Sequence, residues 1–265
     1  MKNKNLKGGM YKMRRLLLAL SLVLLLTISL SFAAEVKLRK GTWTHYVPYT
    51  TTPPTIDGNI DIREYFLSPR YYVGLKSDVD YIPENWKGPD DLSVYYYMLW
   101  DKDYLYIGAV VKDDSIVQLA TGENIWQGDH IEMWFDTDLQ NDFEDKQNNK
   151  DDYQLGISPG DFELLPPEIW VWTPPVLADE VKKAKIAVKR TNDGYTVEIA
   201  IPWSLLKVKP EPSYIMGFAF SPSDTDTPGK LDQEMMMSSA PGSSPNWGNP
   251  TFWGNLILID PLENF

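Results

Sequence analysis

The densest run of chemistry-bearing side chains lies between residues 136 and 152. Asp136-Thr-Asp-Leu-Gln-Asn-Asp142 is followed by Glu144, Asp145, Asp151 and Asp152. Carboxylates packed this closely repel one another, and a hard divalent cation with oxygen ligands relieves the repulsion. The spacing departs from an EF-hand, which carries Gly at its sixth position and Glu at its twelfth; here they are Asn141 and Gln147. A solvated charge run is the plain alternative. The expectation is structural Ca²⁺, with ligands drawn from Asp136, Asp138, Asp142, Asp151 and Asp152. A second chemistry belongs to flat rings. The 265 residues include 10 Trp and 15 Tyr, an excess that serves either a large aromatic core or a surface that uses rings. Trp126 stands just before Gln127-Gly128, and Trp247 sits in a Gly/Pro/Ser-rich loop, where a buried aromatic is less expected.

Composition removes other chemistries. The chain has no Cys, which excludes disulfide scaffolds, thiolate metal sites and Cys nucleophiles. Its two histidines, His45 and His130, exclude a three-His catalytic zinc. A net charge of −12 argues against nucleic acid as a partner, because phosphate neutralisation needs Lys and Arg. There is no nucleophile elbow, phosphate loop or dinucleotide fingerprint.

The elements that must position these residues are short β-type runs between turn signals. They span Leu92–Leu99, Tyr104–Lys112, His130–Phe135, Tyr153–Ser158, Ile169–Trp172, Ala184–Lys189, Tyr195–Ile201, Tyr214–Ser221 and Asn255–Ile259. Asn192-Asp-Gly194 between two of them is a hairpin signal. Asp61–Leu67 and Pro202–Leu206 are each suited to one short helical turn. The pattern predicts an all-β fold: an antiparallel β-sandwich, jelly-roll-like and of immunoglobulin-like size, in one domain. Side chains alternate along a strand, so Ile131, Met133 and Phe135 share one face and His130, Glu132 and Trp134 the other. By the same rule Trp170 and Trp172 share a side.

The N-terminus reads as a secretion signal over residues 1–34. Six basic residues and no acidic one are followed by the apolar run Leu16 to Leu30 and by small residues at Ser31 and Ala33. An uncleaved anchor is the alternative. Cleavage leaves 19 basic against 37 acidic residues, a net charge of −18, and a secreted protein with no membrane contact. Residues 35–54 form a lead-in and 55–265 the sandwich.

Seven short motifs then converge in chain order. They are Thr55-Ile-Asp-Gly58, Trp100-Asp-Lys-Asp-Tyr-Leu-Tyr-Ile107, Val111-Lys-Asp-Asp114, Ile125-Trp-Gln-Gly-Asp-His-Ile-Glu-Met-Trp-Phe-Asp136, Gly194-Tyr-Thr-Val-Glu-Ile-Ala-Ile-Pro-Trp203, Ile215-Met-Gly-Phe218 and Phe252-Trp-Gly-Asn-Leu256. Together they resemble carbohydrate-binding module family 9 and its DOMON-like relatives, from about Thr55 to Ile259. The resemblance implies a β-sandwich, bound calcium, and a sugar held between two Trp rings. By motif position these are Trp126 and Trp247, with Glu132 as a carboxylate for sugar hydroxyls. The chemistry is coherent: a pyranose has an apolar C–H face that stacks on a ring, and hydroxyls that bond charged partners.

Three departures accompany the resemblance. Asp151-Asp-Tyr-Gln-Leu-Gly156 places Gly156 where the best-matched members carry a sugar-bonding Arg, and Ser158 replaces an Asn. The stretch Pro159–Ala178 is longer and brings in Trp170 and Trp172. The candidate sugar-binding set is therefore Trp126, Trp247, Glu132, Gln154, Trp170 and Trp172. The expected function is that of a secreted, monomeric, non-catalytic binder of xylan- or cellulose-like carbohydrate. Two other classes stay open. A DOMON-like haem or electron-transfer domain would use His130 with Met235, Met236 or Met237 as axial ligands. A glycoside hydrolase would need two carboxylates about 5–5.5 Å apart if retaining.

Overall fold

The computed structural model describes residues 35–40, 43–176 and 178–260. The secretion signal expected at residues 1–34 lies outside them. The chain divides into two compact units at Lys37/Leu38. Of the first, only residues 35–37 are described.

Among the described residues the second unit has thirteen strands: β1 (Thr44–Pro48), β2 (Tyr71–Val73), β3 (Val79–Tyr81), β4 (Leu92–Trp100), β5 (Tyr104–Asp113), β6 (His130–Asp136), β7 (Asp152–Ser158), β8 (Glu168–Thr173), β9 (Lys185–Arg190), β10 (Gly194–Pro202), β11 (Ile215–Asp224), β12 (Met235–Met237) and β13 (Gly254–Ile259). They form two sheets. The larger runs β1-β13-β11-β6-β7-β8, with β12 paired to β11 and β3 paired to β12. The smaller runs β2-β4-β5-β10-β9. The pairs are antiparallel except β1 with β13, which is parallel. The segment read as a lead-in therefore supplies an edge strand. Of the two expected helical turns, Trp203–Leu206 forms one. Residues 61–67 make successive turns instead, closed by Glu64 N–H to Asp61 O and Ser68 N–H to Tyr65 O.

Alternation explains the layering. Val94, Tyr96 and Met98 on β4, Ile107 and Val111 on β5, and Val197 and Ile199 on β10 face Ile131, Met133 and Phe135 on β6 and Tyr153, Leu155 and Ile157 on β7 in one buried core. The Asn192-Asp-Gly194 turn joins β9 to β10, with Arg190 opposite Tyr195. The outward face of β6 and β7 is left for other work.

Candidate functional site

A cleft of about 1060 Å³ lies over that outward face. Its floor is polar. Glu132 on β6 is nearly buried, and Gln154 on β7 donates from Nε2 to Glu132 Oε2 at 2.9 Å. His130 Nε2 lies 3.2 Å from Glu132 Oε1, and His130 Nδ1 lies 2.7 Å from the Gly128 carbonyl oxygen. The floor is also aromatic: Trp134, on the outward side of β6, lines the cleft while packing on Met236 and Trp253.

Each wall carries one of the expected Trp rings. Trp126 belongs to a 3-10 turn, Gly122–Gln127, whose anchor is the fully buried Ile125. Gln118 clamps the turn by donating from Nε2 to the carbonyls of Ile125 and Asp129, both at 2.9 Å. Held this way, Trp126 is left 39% exposed. Trp247 follows the 3-10 turn Ser244–Asn246 and is 54% exposed. Its loop hangs on Asp80 of β3, whose carboxylate accepts from Ser244 N–H at 2.7 Å and from Gly242 N–H. A loop aromatic this exposed does not fill a core.

Trp172 also lines the cleft, donating from Nε1 to the Glu123 carbonyl at 2.9 Å. It explains the missing Arg. A Cβ built on Gly156 would run into Cη2 and Cζ3 of the Trp172 ring. The ring occupies the room a side chain at 156 would need. Trp170 shares its face of β8 but is placed elsewhere: it lies against Gly122 on the far side of the Trp126 turn and lines a separate groove. Trp126, Trp247, Glu132, Gln154 and Trp172 are thus brought together, and Trp170 is not. Sequence reasoning missed Tyr81, Gln233 and Asn148 in the walls. Trp134 had a signal, because alternation already placed it beside Glu132.

The acidic loop adjoins this cleft. Oxygens of Asp136, Asp142 and Asp151 lie within 4.8 Å of one another, and buried oxygens of these three and of Asp152 have no hydrogen-bond partner. Burial pushes the Asp136 and Asp152 carboxyls up to about 7 and Asp151 to about 6, with neighbouring carboxylates adding to the effect. Arg39 donates to Asp136 Oδ2 at 2.8 Å. Such unpartnered oxygens fit a hard cation. Asp138 stands outside the trio and accepts from Asn141 Nδ2. The loop reaches the Trp247 wall of the cleft directly: Asn148 N–H donates to the Gly248 carbonyl at 3.1 Å, next to Trp247.

The haem alternative finds little support in this geometry, because His130 has no exposed surface and each ring nitrogen already faces an acceptor.

Comparison with known proteins agrees with the architecture. Endo-1,4-beta-xylanase A of Thermotoga maritima is 28% identical over 162 residues, covering 61% of this chain and 14% of the relative. Exoglucanase XynX of Acetivibrio thermocellus is 27% identical over 207 residues, covering 77% and 16%. The chain thus spans about a sixth or less of the length of these curated relatives. A family 9 carbohydrate binding module from Caldicellulosiruptor kristjanssonii, solved with glucose, superposes with a TM-score of 0.62 at 21% identity, covering 84% of this chain and 99% of that one. Its cellotriose complex gives a TM-score of 0.61 at 20% identity, covering 82% and 94%. With the family described as Carbohydrate family 9 binding domain-like matching residues 73–261, more than half its length, the chain belongs to that family.

Proposed function

We propose that the protein is a secreted, monomeric, non-catalytic carbohydrate-binding module, with Trp126 and Trp247 taking the faces of a sugar ring and Glu132 and Gln154 bonding its hydroxyls. The observation that carries this reading is one cleft lined by two half-exposed loop Trp rings above a nearly buried carboxylate–amide floor. Each ring removes about 70 Å² of apolar area from water, worth roughly 1.5–2 kcal/mol. Two rings and a few hydrogen bonds, less ordering costs, correspond to affinities between about micromolar and millimolar.

Among the described residues, the cleft's lining includes Glu123 and Glu132 but no Lys or Arg. That balance favours neutral sugars over uronates, whose carboxylates would meet like charge. Neutral β-1,4-linked glucan or xylan fragments are the ligand class we infer, in keeping with the xylanases and exoglucanase that share the sequence pattern. Ca²⁺ in the loop of Asp136, Asp142, Asp151 and Asp152 would order that loop, and through Asn148 and Gly248 the Trp247 wall.

Calorimetry with cello- and xylo-oligosaccharides tests the reading. Trp126→Ala and Trp247→Ala are each expected to weaken binding about ten- to thirty-fold with little change in melting temperature. A collapse in melting for both variants, or unchanged affinity in both, overturns it. A reducing-sugar assay on xylan and cello-oligosaccharides is expected to show no product; release of sugar would make the protein a hydrolase. EDTA is expected to lower both the melting temperature and the sugar affinity, and Ca²⁺ to restore them. An unchanged melt removes the loop cation.

A further inference from the structure

Trp170 and Glu168 line the groove behind the Trp126 wall, yet both reach back to the turn that carries Trp126. That turn, Gly122–Gln127, does not cap its own start: the side chain of Thr121, the residue before it, makes no capping hydrogen bond. A first-turn amide has no partner within its turn and needs one from outside. Strand β8 supplies it. Glu168 Oε1 accepts from Gly122 N–H at 3.1 Å, across 46 residues of sequence. Two residues further along β8 the Trp170 ring packs on Gly122, so that a Cβ built there would lie 3.6 Å from the ring's Cζ3. Two further again, Trp172 Nε1 donates to the Glu123 carbonyl at 2.9 Å. Residues 168, 170 and 172 share a side because side chains alternate along a strand. One face of one strand thus makes three contacts with two consecutive residues of the turn.

The turn is therefore held from two directions. Gln118 grips the chain on either side of Trp126, at the carbonyls of Ile125 and Asp129. Strand β8 holds the start. Because β8 pairs with β7, which carries Gln154, the same contacts fix the wall relative to the polar floor of the cleft. A ring on an unsupported surface turn samples many positions and loses that freedom when a ligand arrives, which weakens binding; a ring already fixed avoids the loss.

We propose that the outward face of β8 is a brace that sets the Trp126 ring before a sugar arrives, with Glu168 and Trp170 as positioning residues that act through the turn and not on the ligand. The inference rests on Trp126 being a sugar platform, and it gives the stretch Pro159–Ala178, in which β8 lies, a part in affinity. The test titrates cellotriose and xylotriose into the full chain and its variants. Glu168→Ala and Trp170→Ala are each expected to weaken binding about two- to ten-fold, the former with a melting temperature near that of the wild type. Glu168→Gln, whose amide oxygen accepts the same N–H, is expected to bind as the wild type does. In a Trp126→Ala background, Glu168→Ala is expected to change affinity less than about two-fold, because the ring it positions is gone. A change that merely loosened the fold would weaken binding in both backgrounds. Hydrogen exchange adds a readout that needs no ligand: the Gly122 amide is expected to be protected in the wild type and in Glu168→Gln, and to exchange faster in Glu168→Ala. Wild-type affinity in Glu168→Ala or Trp170→Ala, no rescue by Glu168→Gln, an equal loss in both backgrounds, or a freely exchanging Gly122 amide in the wild type overturns the brace alone. A wild type that binds neither sugar, or unchanged affinity in Trp126→Ala, overturns the platform and the brace with it.

Discussion

Gly156 and Trp172 are a single feature in two places. The bare backbone at 156 admits the indole, and the indole then stands where the resemblance led us to expect an Arg side chain. A planar apolar ring stands in place of a charged donor, so under the proposed function this wall would offer a sugar stacking rather than a hydrogen bond. Gly156→Ala should force the ring aside, at a cost of about 1–3 kcal/mol for overpacking. The same change in a Trp172→Ala background should be nearly neutral, because the colliding atoms are gone. A double-mutant cycle from urea unfolding checks this, with an expected coupling of at least about 1 kcal/mol. Equal costs in the two backgrounds would mean that the ring does not occupy the space over Gly156. Alternation alone gave Trp170 and Trp172 equal standing. Only the position of the Trp126 turn separates them, with one inside the cleft and the other behind its wall.

Between elements, Glu198 makes a long-range tie on the smaller sheet. Its Oε2 accepts from the backbone amides of Asp57 at 2.9 Å and Gly58 at 2.8 Å, and its Oε1 from the Tyr65 hydroxyl at 3.0 Å. Gly58 holds φ at +80°, a conformation that suits glycine and lets the two amides converge on one carboxylate. The clamp fastens residues 55–67 over Tyr97, Leu99, Tyr106 and Ala200 on the outer face of the sheet. Glu198→Ala strands these donors and is expected to cost about 2–5 kcal/mol in chemical denaturation, with sugar affinity retained, the reverse of Trp126→Ala. Loss of affinity without loss of stability would contradict a structural role. Two motifs recognised only as resemblances, Thr55–Gly58 and Gly194–Trp203, thus acquire a shared physical reason. The nine longer strands were legible because each has six or more residues, enough to stand out as a β-type run between turn signals. The others were not: β2, β3 and β12 have three residues apiece, too few to show a period, and β1 joins β13 in parallel across the length of the domain. The cleft suffers from the same limit. Its floor, on β6 and β7, follows from alternation, whereas the Trp247 wall depends on Asp80, a β3 residue that nothing local marks.

For the molecule as a whole, a chain without disulfides depends on its two-sheet core, and an imidazole sits inside that core. His45 on β1 has no exposed surface. It is enclosed by Tyr71, Tyr96 and Phe218, with Trp43 alongside. Its Nε2 lies 2.6 Å from the Tyr96 hydroxyl and its Nδ1 3.3 Å from the Asn255 carbonyl oxygen. Its hydrogen-bond partners are a neutral hydroxyl and a carbonyl, so burial prevails and lowers its pKa from 6.5 to about 4, against a smaller opposing effect from the Asn255 carbonyl. The unfolded chain takes up this proton near pH 6.5 and the folded chain does not until about pH 4. His45 therefore contributes its full share of stability above pH 6.5 and loses it progressively as the pH falls toward 4. The whole interval corresponds to about 3 kcal/mol, and the part between pH 7 and pH 5 to about 2 kcal/mol. The buried carboxyls pull the other way, since their raised values favour the folded state as the pH falls, so the wild-type profile alone mixes the two. His45→Gln, which cannot titrate, isolates the effect. The variant should be less stable than wild type at pH 7, through the lost ring packing. Its deficit should shrink by about 2 kcal/mol at pH 5 as the wild type begins to lose stability to His45 protonation. Urea unfolding of both proteins at the two pH values in one buffer series gives the comparison. A deficit that stays constant from pH 7 to pH 5 would mean that His45 is not held neutral in the core.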